Sequence, residues 1–169
     1  MKRPSIHWRR PLILCALCAL PLAWAPLDAF SKDHALLLNA SPSLPNWAFW
    51  LDKRAPIERG SLIFFEPPPS TRLPNICGSG PKCLPTSALG VPGDVVTHHG
   101  MAVLINGEKV AKRLGKTRLG VPLTRGPAGT IPANCYYTGT DHPRGLDSRY
   151  GAIGFVCAGQ ILGSGRAIL

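Results

Sequence analysis

Short apolar runs bounded by Gly and Pro dominate the hydrophobic pattern of this chain beyond residue 40. No apolar pattern with the helical period of 3.6 continues there for more than two turns, so a helical body is not expected. Apolar runs of this length are typical of buried strands. The predicted strands are Ser61–Phe65, Val95–Val96, Ala102–Ile105, Glu108–Val110, Cys135–Thr138 and Ala152–Val156. The pattern therefore predicts a mainly β domain.

The strongest turn signal is Asn106-Gly107, which lies between two of these strands. Asn and Gly both tolerate the positive φ that a two-residue hairpin turn requires. The segment from Pro67 to Cys83 shows no comparable regularity and predicts an irregular loop. The chain beyond residue 40 is therefore expected to combine tight hairpins with one long loop.

The N-terminal segment differs, because basic residues precede an apolar run from Pro11 to Leu27 and no acidic residue occurs before Asp28. The basic residues are Lys2, Arg3, Arg9 and Arg10. This pattern is typical of a secretory signal or an uncleaved signal anchor, with the basic end on the cytoplasmic side. We expect an anchor, which divides the chain into a cytoplasmic flank (1–10), a single transmembrane helix (11–30) and an exported domain (31–169).

A cleaved signal peptide is the alternative to an anchor. About 17 apolar residues are the short limit for spanning a bilayer, and Ala23-Trp24-Ala25 would serve as a small-x-small cleavage site. The anchor is favoured because Pro21 and Pro26 flank that site and apolar residues continue in patches to Leu38. In both cases the rest of the chain is expected to be exported.

Composition and charge narrow the range of partners. With 169 residues, the chain has the usual length of one domain, and 18 Gly and 18 Pro disfavour long helices. The net charge is +10, but no run of Lys and Arg exceeds two residues and aromatic residues are not interleaved with them. Nucleic acid is therefore not an expected partner, whereas anionic membrane lipid is.

Six cysteines fall into three pairs by position. Cys15 and Cys18 lie in the apolar segment, where free buried thiols are expected. The other four lie in the exported part, where oxidising conditions favour disulfides. The predicted disulfides are Cys77–Cys83 and Cys135–Cys157.

A zinc site is the alternative for one of these pairs. Cys77 and Cys83 could bind the metal together with one histidine. The candidate histidines are His98, His99 and His142. The gap of five residues between the two cysteines is wide for a metal-binding knuckle, so no metal and no other cofactor are expected.

The segment Ser41-Pro42-Ser43-Leu44-Pro45 places a candidate nucleophile shortly after the apolar segment. A serine hydroxyl becomes a good nucleophile only when a base accepts its proton and donors stabilise the developing oxyanion. Ser43 is the candidate nucleophile, and Ser41 is a candidate donor to the oxyanion. Taken alone, the segment is more typical of a polar loop.

Four further segments follow the serine segment in a fixed order. They are Arg59–Phe65, Val91–Val96, Ile105–Val110, and residues 139–151, which contain Asp141-His142-Pro143 and Asp147-Ser148-Arg149-Tyr150. In order and spacing, the chain resembles the type I signal peptidases, and among them the TraF-type peptidases of plasmid conjugation. In that subfamily the serine segment typically reads Asn-x-Ser-x-Ser-x-Pro, as residues 39–45 do here. The resemblance runs from the N-terminal apolar segment nearly to the C-terminus.

The resemblance implies a membrane-anchored peptidase with a signal-peptidase-like antiparallel β-fold, whose active site faces the periplasmic side of the inner membrane. Ser43 matches the nucleophile of the family's serine and lysine pair, and Ser41 matches the hydroxyl that assists the oxyanion hole. Asp147 and Arg149 match an ion pair that supports the site, and in the TraF-like branch the aspartate is also implicated in activity. A purely structural pair that orients a loop is the alternative for these two residues.

The chain departs from the family pattern at the lysine. A lysine acts as a base only when its amine is neutral, so the family buries it among apolar groups to lower its pKa. The expected position, six residues before the proline of Pro-Gly-Asp, is Thr86 here. Lys82 precedes it by four residues, or about 13 Å of extended strand. Lys82 is therefore the candidate base only if the loop between Cys77 and Cys83 folds back over Ser43.

Other basic side chains fit this role less well. Some relatives in the endoplasmic reticulum use a histidine in place of the lysine, but His98 and His99 follow Pro-Gly-Asp and do not precede it. Adjacent residues of a strand face opposite sides, so at most one of the two could face any site. They are expected at an exposed strand end or turn, and His142 is expected to shape its loop. A solvated basic face is predicted for Lys109, Lys112 and Lys116.

Two functions remain open. The first is a serine endopeptidase that processes an exported, pilin-like precursor polypeptide in conjugative transfer, either by hydrolysis or by joining the chain ends through the acyl-enzyme. The second is a catalytically inactive relative that binds precursors or pilus-assembly partners. The presence of Ser41, Ser43, Asp147 and Arg149 favours the first function, and the missing lysine favours the second.

Overall fold

The computed structural model describes residues 13, 26–38, 46–68 and 84–168, which belong to two compact units, Met1–Ala35 and Leu36–Leu169. In the first unit, residue 13 and residues 26–33 are helical, and an exposed ion pair joins Lys32 to Asp28 at 2.8 Å. No helix formed by the described residues is long and apolar enough to cross a bilayer. Most of the predicted helix over 11–30 lies outside these residues, so the anchor and the three-part division of the chain stay predictions.

Eleven strands occur among the described residues. In chain order they are β1 (His34–Leu38), β2 (Ala48–Asp52), β3 (Leu62–Phe65), β4 (Leu84–Gly90), β5 (Val95–His99), β6 (Ala102–Ile105), β7 (Glu108–Lys112), β8 (Gly129–Thr130), β9 (Cys135–Gly139), β10 (Val156–Cys157) and β11 (Ile161–Ala167). Strand β1 lies across the boundary between the two units, and a 3-10 helix, Ala158–Gln160, precedes β11. The other strands belong to the second unit.

The strands form two sheets. The larger sheet has the order β1-β2-β11-β3-β4-β9-β10, and the smaller sheet has the order β7-β6-β5-β8. The pairings from β2 to β11 are antiparallel throughout. The mainly β fold predicted from the sequence is therefore confirmed.

One apolar cluster lies on a single face of the larger sheet, because side chains alternate between faces along β3. Ile63 and Phe65 are fully buried in this cluster. Its other buried members are Ala88, Ile153 and Val156. Phe64 lies on the opposite face, where its ring packs edge-on against Phe49 with the centroids 5.5 Å apart. Burial of each large apolar side chain contributes about 1.5–3 kcal/mol, so the predicted strand β3 is a major source of stability.

A second apolar cluster lies where the smaller sheet meets β9. Its fully buried members include Val96 and Val103 of the smaller sheet and Tyr137 of β9. Cys135, at the start of β9, also lies in this cluster and forms a disulfide with Cys157 of β10. The predicted Cys135–Cys157 disulfide is therefore confirmed, whereas Cys77–Cys83 lies outside the described residues.

The hairpin predicted at Asn106-Gly107 joins β6 to β7. Both residues have positive φ, 52° and 84° respectively, and Ile105 pairs with Glu108 across the turn. This backbone conformation is the one that an Asn-Gly hairpin turn favours, since its twist matches that of the flanking strands. The prediction is confirmed.

The predicted strand Ala152–Val156 is wrong over most of its length, since only Val156 belongs to β10. Ile153 and Gly154 instead donate their backbone N–H groups to the carbonyl of Tyr150. Gly154 has a φ of 73°, a left-handed conformation that interrupts an extended strand. The apolar run is therefore a turn whose Ile153 side chain is buried in the first cluster.

Strand β11 is not predicted by the pattern, because Gly163 and Gly165 interrupt its apolar residues. In the structure it pairs with β2 on one side and β3 on the other. A Cβ at Gly165 would lie 2.6 Å from the carbonyl oxygen of Trp50 and 2.7 Å from Cε2 of Phe64. Glycine at this position therefore permits close packing between neighbouring strands.

Candidate active site

Three of the predicted site residues, Ser41, Ser43 and Lys82, lie outside the described residues. Their predicted roles stay predictions. The structure does describe Asp147, Arg149 and Thr86, the position at which the family pattern would have its lysine. The described part of the predicted site therefore consists of its supporting residues.

Asp147 and Arg149 form a buried, two-point ion pair. Asp147 is 0 % exposed and Arg149 is 3 % exposed. The Arg149 Nη2 atom donates to Asp147 Oδ2 at 2.7 Å, and Arg149 Nε donates to Asp147 Oδ1 at 2.8 Å. The backbone N–H of Thr140 also donates to Oδ2, at 3.1 Å. Such bidentate, charge-assisted hydrogen bonds fix orientation as well as providing energy.

The Arg149 guanidinium also binds backbone carbonyls around the pair. It donates to the carbonyls of Lys112 at 3.1 Å, His142 at 3.0 Å and Gly145 at 3.3 Å. Burial alone would lower the pKa of Arg149, but the Asp147 carboxylate outweighs that effect and raises the pKa above its usual value. The arginine therefore stays charged and fixes the loop of residues 140–149 in one conformation.

A glycine in this loop leaves room for the guanidinium. A Cβ at Gly145 would collide with Thr140 Oγ1 and would lie 2.9 Å from Arg149 Nη2. Any larger residue would therefore displace one of the groups that surround the ion pair. The sequence signal for this role is only the position of a glycine between the Asp-His-Pro and Asp-Ser-Arg-Tyr segments.

The other two members of Asp-Ser-Arg-Tyr have roles that the sequence reasoning missed. Ser148 Oγ accepts the backbone N–H of Thr138 at 2.9 Å, which ties the segment to β9. The Tyr150 hydroxyl accepts the backbone N–H of Leu114 at 3.0 Å. All four residues of the segment therefore hold backbone in place, which the motif alone does not show.

Tyr137 of β9 responds to the same carboxylate. Burial raises the pKa of the Tyr137 phenol, and the Asp147 carboxylate raises it further.

Thr86 lies in the interior of the larger sheet, on β4. It is 2 % exposed and pairs in register with Ile63 of β3, so both side chains lie on the face of the first apolar cluster. Its Oγ1 atom is buried without a hydrogen-bond partner among the described residues. The position that the family pattern assigns to the lysine is therefore buried, and it offers a hydroxyl, which is no base, in place of an amine.

The Pro-Gly-Asp segment forms a turn held by the Asp94 carboxylate. Asp94 Oδ2 accepts the backbone N–H of Val91 at 2.7 Å and Arg59 Nη2 at 2.6 Å, while Oδ1 accepts Asn106 Nδ2 at 2.8 Å. Burial alone would raise the pKa of Asp94, but these hydrogen bonds outweigh it and lower the pKa below its usual value. Asp94 is therefore a structural carboxylate that joins the two sheets.

The structure describes the three histidines that are candidate bases or zinc ligands, whereas Cys77 and Cys83 lie outside the described residues. His99 is exposed at the end of β5, and His98 Nε2 lies 3.1 Å from the carbonyl oxygen of Pro127. His142 Nδ1 accepts the backbone N–H of Arg144, which shapes the loop as predicted. Within the described residues, no group of three His, Cys, Asp or Glu side chains could hold a metal ion.

Comparison with known proteins identifies the family. The chain matches the model of the signal peptidase family, peptidase S26, over residues 9–169, and it belongs to that family. Members of this family are serine endopeptidases that act on precursor polypeptides. The resemblance found in the sequence is confirmed at this level, and the TraF-type subfamily stays a prediction.

A solved structure to which the chain is similar is the signal peptidase I of Enterococcus faecalis V583. The two chains share 21 % sequence identity with a TM-score of 0.40, and the similar region covers 67 % of this chain and 98 % of that chain. No curated protein matches the sequence.

Proposed function

We propose that this protein is a serine endopeptidase that cleaves exported precursor polypeptides with Ser43 as its nucleophile. The observation that carries the proposal is the family match over residues 9–169, which includes both the serine segment and the Asp147–Arg149 segment. The buried ion pair supports it, because it holds the segment before β10 in a single conformation. Rigid support of this kind is what a preorganised catalytic site requires.

In the proposed mechanism, the Ser43 Oγ atom attacks the carbonyl carbon of the scissile peptide bond. Its proton passes to the neutral amine of Lys82, which then protonates the leaving amine, and the Ser41 hydroxyl donates to the developing oxyanion. The resulting acyl-serine is released by water, which gives hydrolysis, or by an amine of the same precursor, which joins its ends. Asp147 and Arg149 position the surrounding loop and do not contact the substrate.

We further propose that the protein is anchored in the inner membrane, with its catalytic domain on the periplasmic side. Its substrate in this proposal is a pilin-like precursor of a conjugation system. The basic flank and apolar segment at residues 1–27 support the location, and the Asn-x-Ser-x-Ser-x-Pro segment supports the substrate class.

The Ser43→Ala variant tests the nucleophile. Without a nucleophilic oxygen, processing of a co-incubated pilin-like precursor should fall by on the order of 10⁶-fold, which is below detection. The measurement is the mass of the precursor before and after incubation. Ser31→Ala is the matched control, because the Ser31 hydroxyl is exposed and donates to the carbonyl of Asp28 on the same helix. Processing that persists in Ser43→Ala would rule out Ser43 as the nucleophile.

The Lys82→Ala variant tests the general base. Loss of a positioned general base should slow processing by about 10²–10⁴-fold. Initial rates of precursor cleavage measure the effect, and Lys109→Ala, at an exposed position of β7, removes the same charge as a control. An unchanged rate in Lys82→Ala would mean that another group accepts the proton.

A binding protein without catalytic activity is the second candidate, and Thr86 favours it. The buried position at which the family pattern has its base carries a hydroxyl that has no hydrogen-bond partner among the described residues. In this function, wild-type protein would retain the precursor on an affinity column while leaving the precursor mass unchanged. A shifted mass that depends on Ser43 would exclude this candidate.

A further inference from the structure

Residues 116–122, here called the basic hairpin, form a tight loop with an apolar tip. The backbone N–H of Thr117 donates to the carbonyl of Val121 at 2.8 Å, and Lys116 bridges to Pro122. At the tip, Leu119 is 91 % exposed and Val121 is 56 % exposed. Exposed apolar residues on an ordered loop next to basic residues are typical of segments that lie in a membrane interface.

A cavity of about 520 Å³ lies beside the basic hairpin. Its basic lining residues are Lys116, Arg118, His142 and Arg144, and its apolar ones are Leu114, Leu123 and Leu146. None of its lining residues in the described part of the chain is acidic, and residues 109–140 of the sequence contain six Lys and Arg but no Asp or Glu. The cavity therefore combines a positive field with an apolar surface.

Hydrogen bonds fix the walls of this cavity. Leu114 donates its N–H to the Tyr150 hydroxyl, and Leu123 donates its N–H to the carbonyl of Gly115 at 2.9 Å. The buried Arg149 guanidinium holds the carbonyls of His142 and Gly145, which also line the cavity. The cavity is therefore preformed, so a ligand would not have to order the backbone around it.

The cations around the cavity are not neutralised by their neighbours. The side chains of Lys116, Arg118 and Arg144 make no hydrogen bond and no ion pair within the part of the chain that the structure describes. Lys116 and Arg118 belong to the basic hairpin, Arg144 belongs to the loop of residues 140–149, and all three line the cavity. Lys and Arg side chains that line one cavity can bind a phosphate group through charge-assisted hydrogen bonds.

We propose that the basic hairpin and its cavity bind an anionic phospholipid of the membrane surface. The lipid phosphate lies in the cavity against Lys116, Arg118 and Arg144, and Leu119 and Val121 insert at the boundary of the acyl chains. A soluble anion would satisfy only the charges, whereas a bilayer surface also covers the exposed apolar tip. The contact is independent of the Ser43 chemistry and lies within the second unit of the chain.

Hydrogen exchange on the full-length protein in lipid nanodiscs tests the proposal. One set of discs contains only phosphatidylcholine, and the other also contains phosphatidylglycerol. The amides of residues 113–123 should exchange at least several-fold more slowly in the anionic discs, because docking excludes water from the hairpin. The amides of β9, in the core, should exchange equally in both sets and report that the fold is unchanged.

Two double variants with the same loss of charge make the test specific. In Lys116→Gln/Arg118→Gln, docking should weaken about 30-fold, since each basic residue near an anionic surface contributes roughly fivefold. In Lys109→Gln/Lys112→Gln, which changes exposed residues of β7 outside the cavity lining, the protection should remain. Leu119→Ser should reduce the protection without changing the net charge.

Three results would overturn the proposal. The first is equal exchange of residues 113–123 in both kinds of disc. The second is an equal loss of protection in the two double variants, which would indicate a general attraction without a site. The third is full protection in phosphatidylcholine discs on addition of inorganic phosphate or of an acidic precursor peptide, which would identify a soluble anion or a polypeptide as the ligand. The precursor-cleavage assay tests the role of Ser43 separately, so none of these three results would bear on the proposed peptidase activity.

Discussion

A carboxylate with no exposure to water, such as that of Asp147, is stable in a folded protein only when its charge is compensated. Here Arg149 supplies the opposite charge, and the N–H groups of Thr140 and Arg149 supply further hydrogen bonds at 3.1 Å. The desolvation of both ions offsets much of this gain, so the pair is worth little relative to an apolar replacement. We expect its main effect to be specificity, because its hydrogen bonds tie the backbone of Thr140 and of Arg149 to the same carboxylate.

Removal of one charge should therefore be costly. Asp147→Asn leaves the Arg149 guanidinium buried without a counter-ion, and we expect the free energy of unfolding to fall by about 3–5 kcal/mol. Urea denaturation at neutral pH measures the loss. Asp141→Asn, at an exposed position of the same loop, should change it by less than about 0.5 kcal/mol. A loss below about 1 kcal/mol for Asp147→Asn would show that water replaces the missing charge.

The sequence allows the pairing of Asp147 with Arg149 to be expected, but not the environment of the pair. Two residues separated by one position can face each other only in a suitable backbone conformation. That conformation depends on Gly145, which leaves room for the guanidinium, and on the distant carbonyl of Lys112. The burial of Thr86 is likewise a property of its neighbours, since one polar residue in an apolar sheet gives no periodic signal.

At the scale of elements, the segment around Gly126 runs directly against the Asp-Ser-Arg-Tyr segment. Arg125 bridges to Tyr150, and Gly126 donates its N–H to the carbonyl of Arg149 at 2.9 Å. A Cβ at Gly126 would collide with the carbonyl oxygen of Ser148 and would lie 2.9 Å from the carbonyl carbon of Arg149. Two backbones are thus packed so closely that only glycine fits between them.

The Gly126→Ala variant should be destabilised by about 1–3 kcal/mol, because backbone atoms must move to admit the methyl group. Thermal unfolding followed by circular dichroism measures the effect. Gly159→Ala is the matched control, since nothing lies within 4 Å of its added Cβ, and its stability should stay within about 0.5 kcal/mol. Equal stability of the two variants would contradict the close packing.

Elements with a continuous apolar run could be predicted from the sequence, and elements defined by tertiary packing could not. Strand β3 and the β6–β7 hairpin follow from local signals, an apolar run and an Asn-Gly turn. Strand β11 forms because β2 and β3 lie on either side of it, although its glycines weaken the local preference. Residues 152–155 fail to form a strand because the N–H groups of Ile153 and Gly154 bond to the carbonyl of Tyr150 within a local turn.

At the scale of the whole molecule, the two sheets are joined through the Asp94 carboxylate. Arg59, which precedes β3 of the larger sheet, donates to this carboxylate and to the carbonyl of Leu89, the latter at 2.6 Å. Asn106, in the hairpin of the smaller sheet, donates to the same carboxylate. The Asp94 side chain is 10 % exposed and that of Arg59 is 49 % exposed, so water screens the ion pair more than it screens the hydrogen bonds from Val91 and Asn106. The contact between the sheets therefore depends on an ionised carboxylate.

This dependence predicts a loss of stability in acid. Because the pKa of Asp94 is lower in the folded than in the unfolded protein, its contribution is fully present above the unfolded value of about 3.9 and is lost as the pH falls through the folded value. Asp94→Asn should lower the free energy of unfolding at pH 7 by about 1–3 kcal/mol. It should also make the decrease below about pH 4 shallower than in the wild type, as urea midpoints across this range would show. Asp141→Asn should retain the wild-type slope, and an unchanged slope in Asp94→Asn would place the acid sensitivity in other carboxylates.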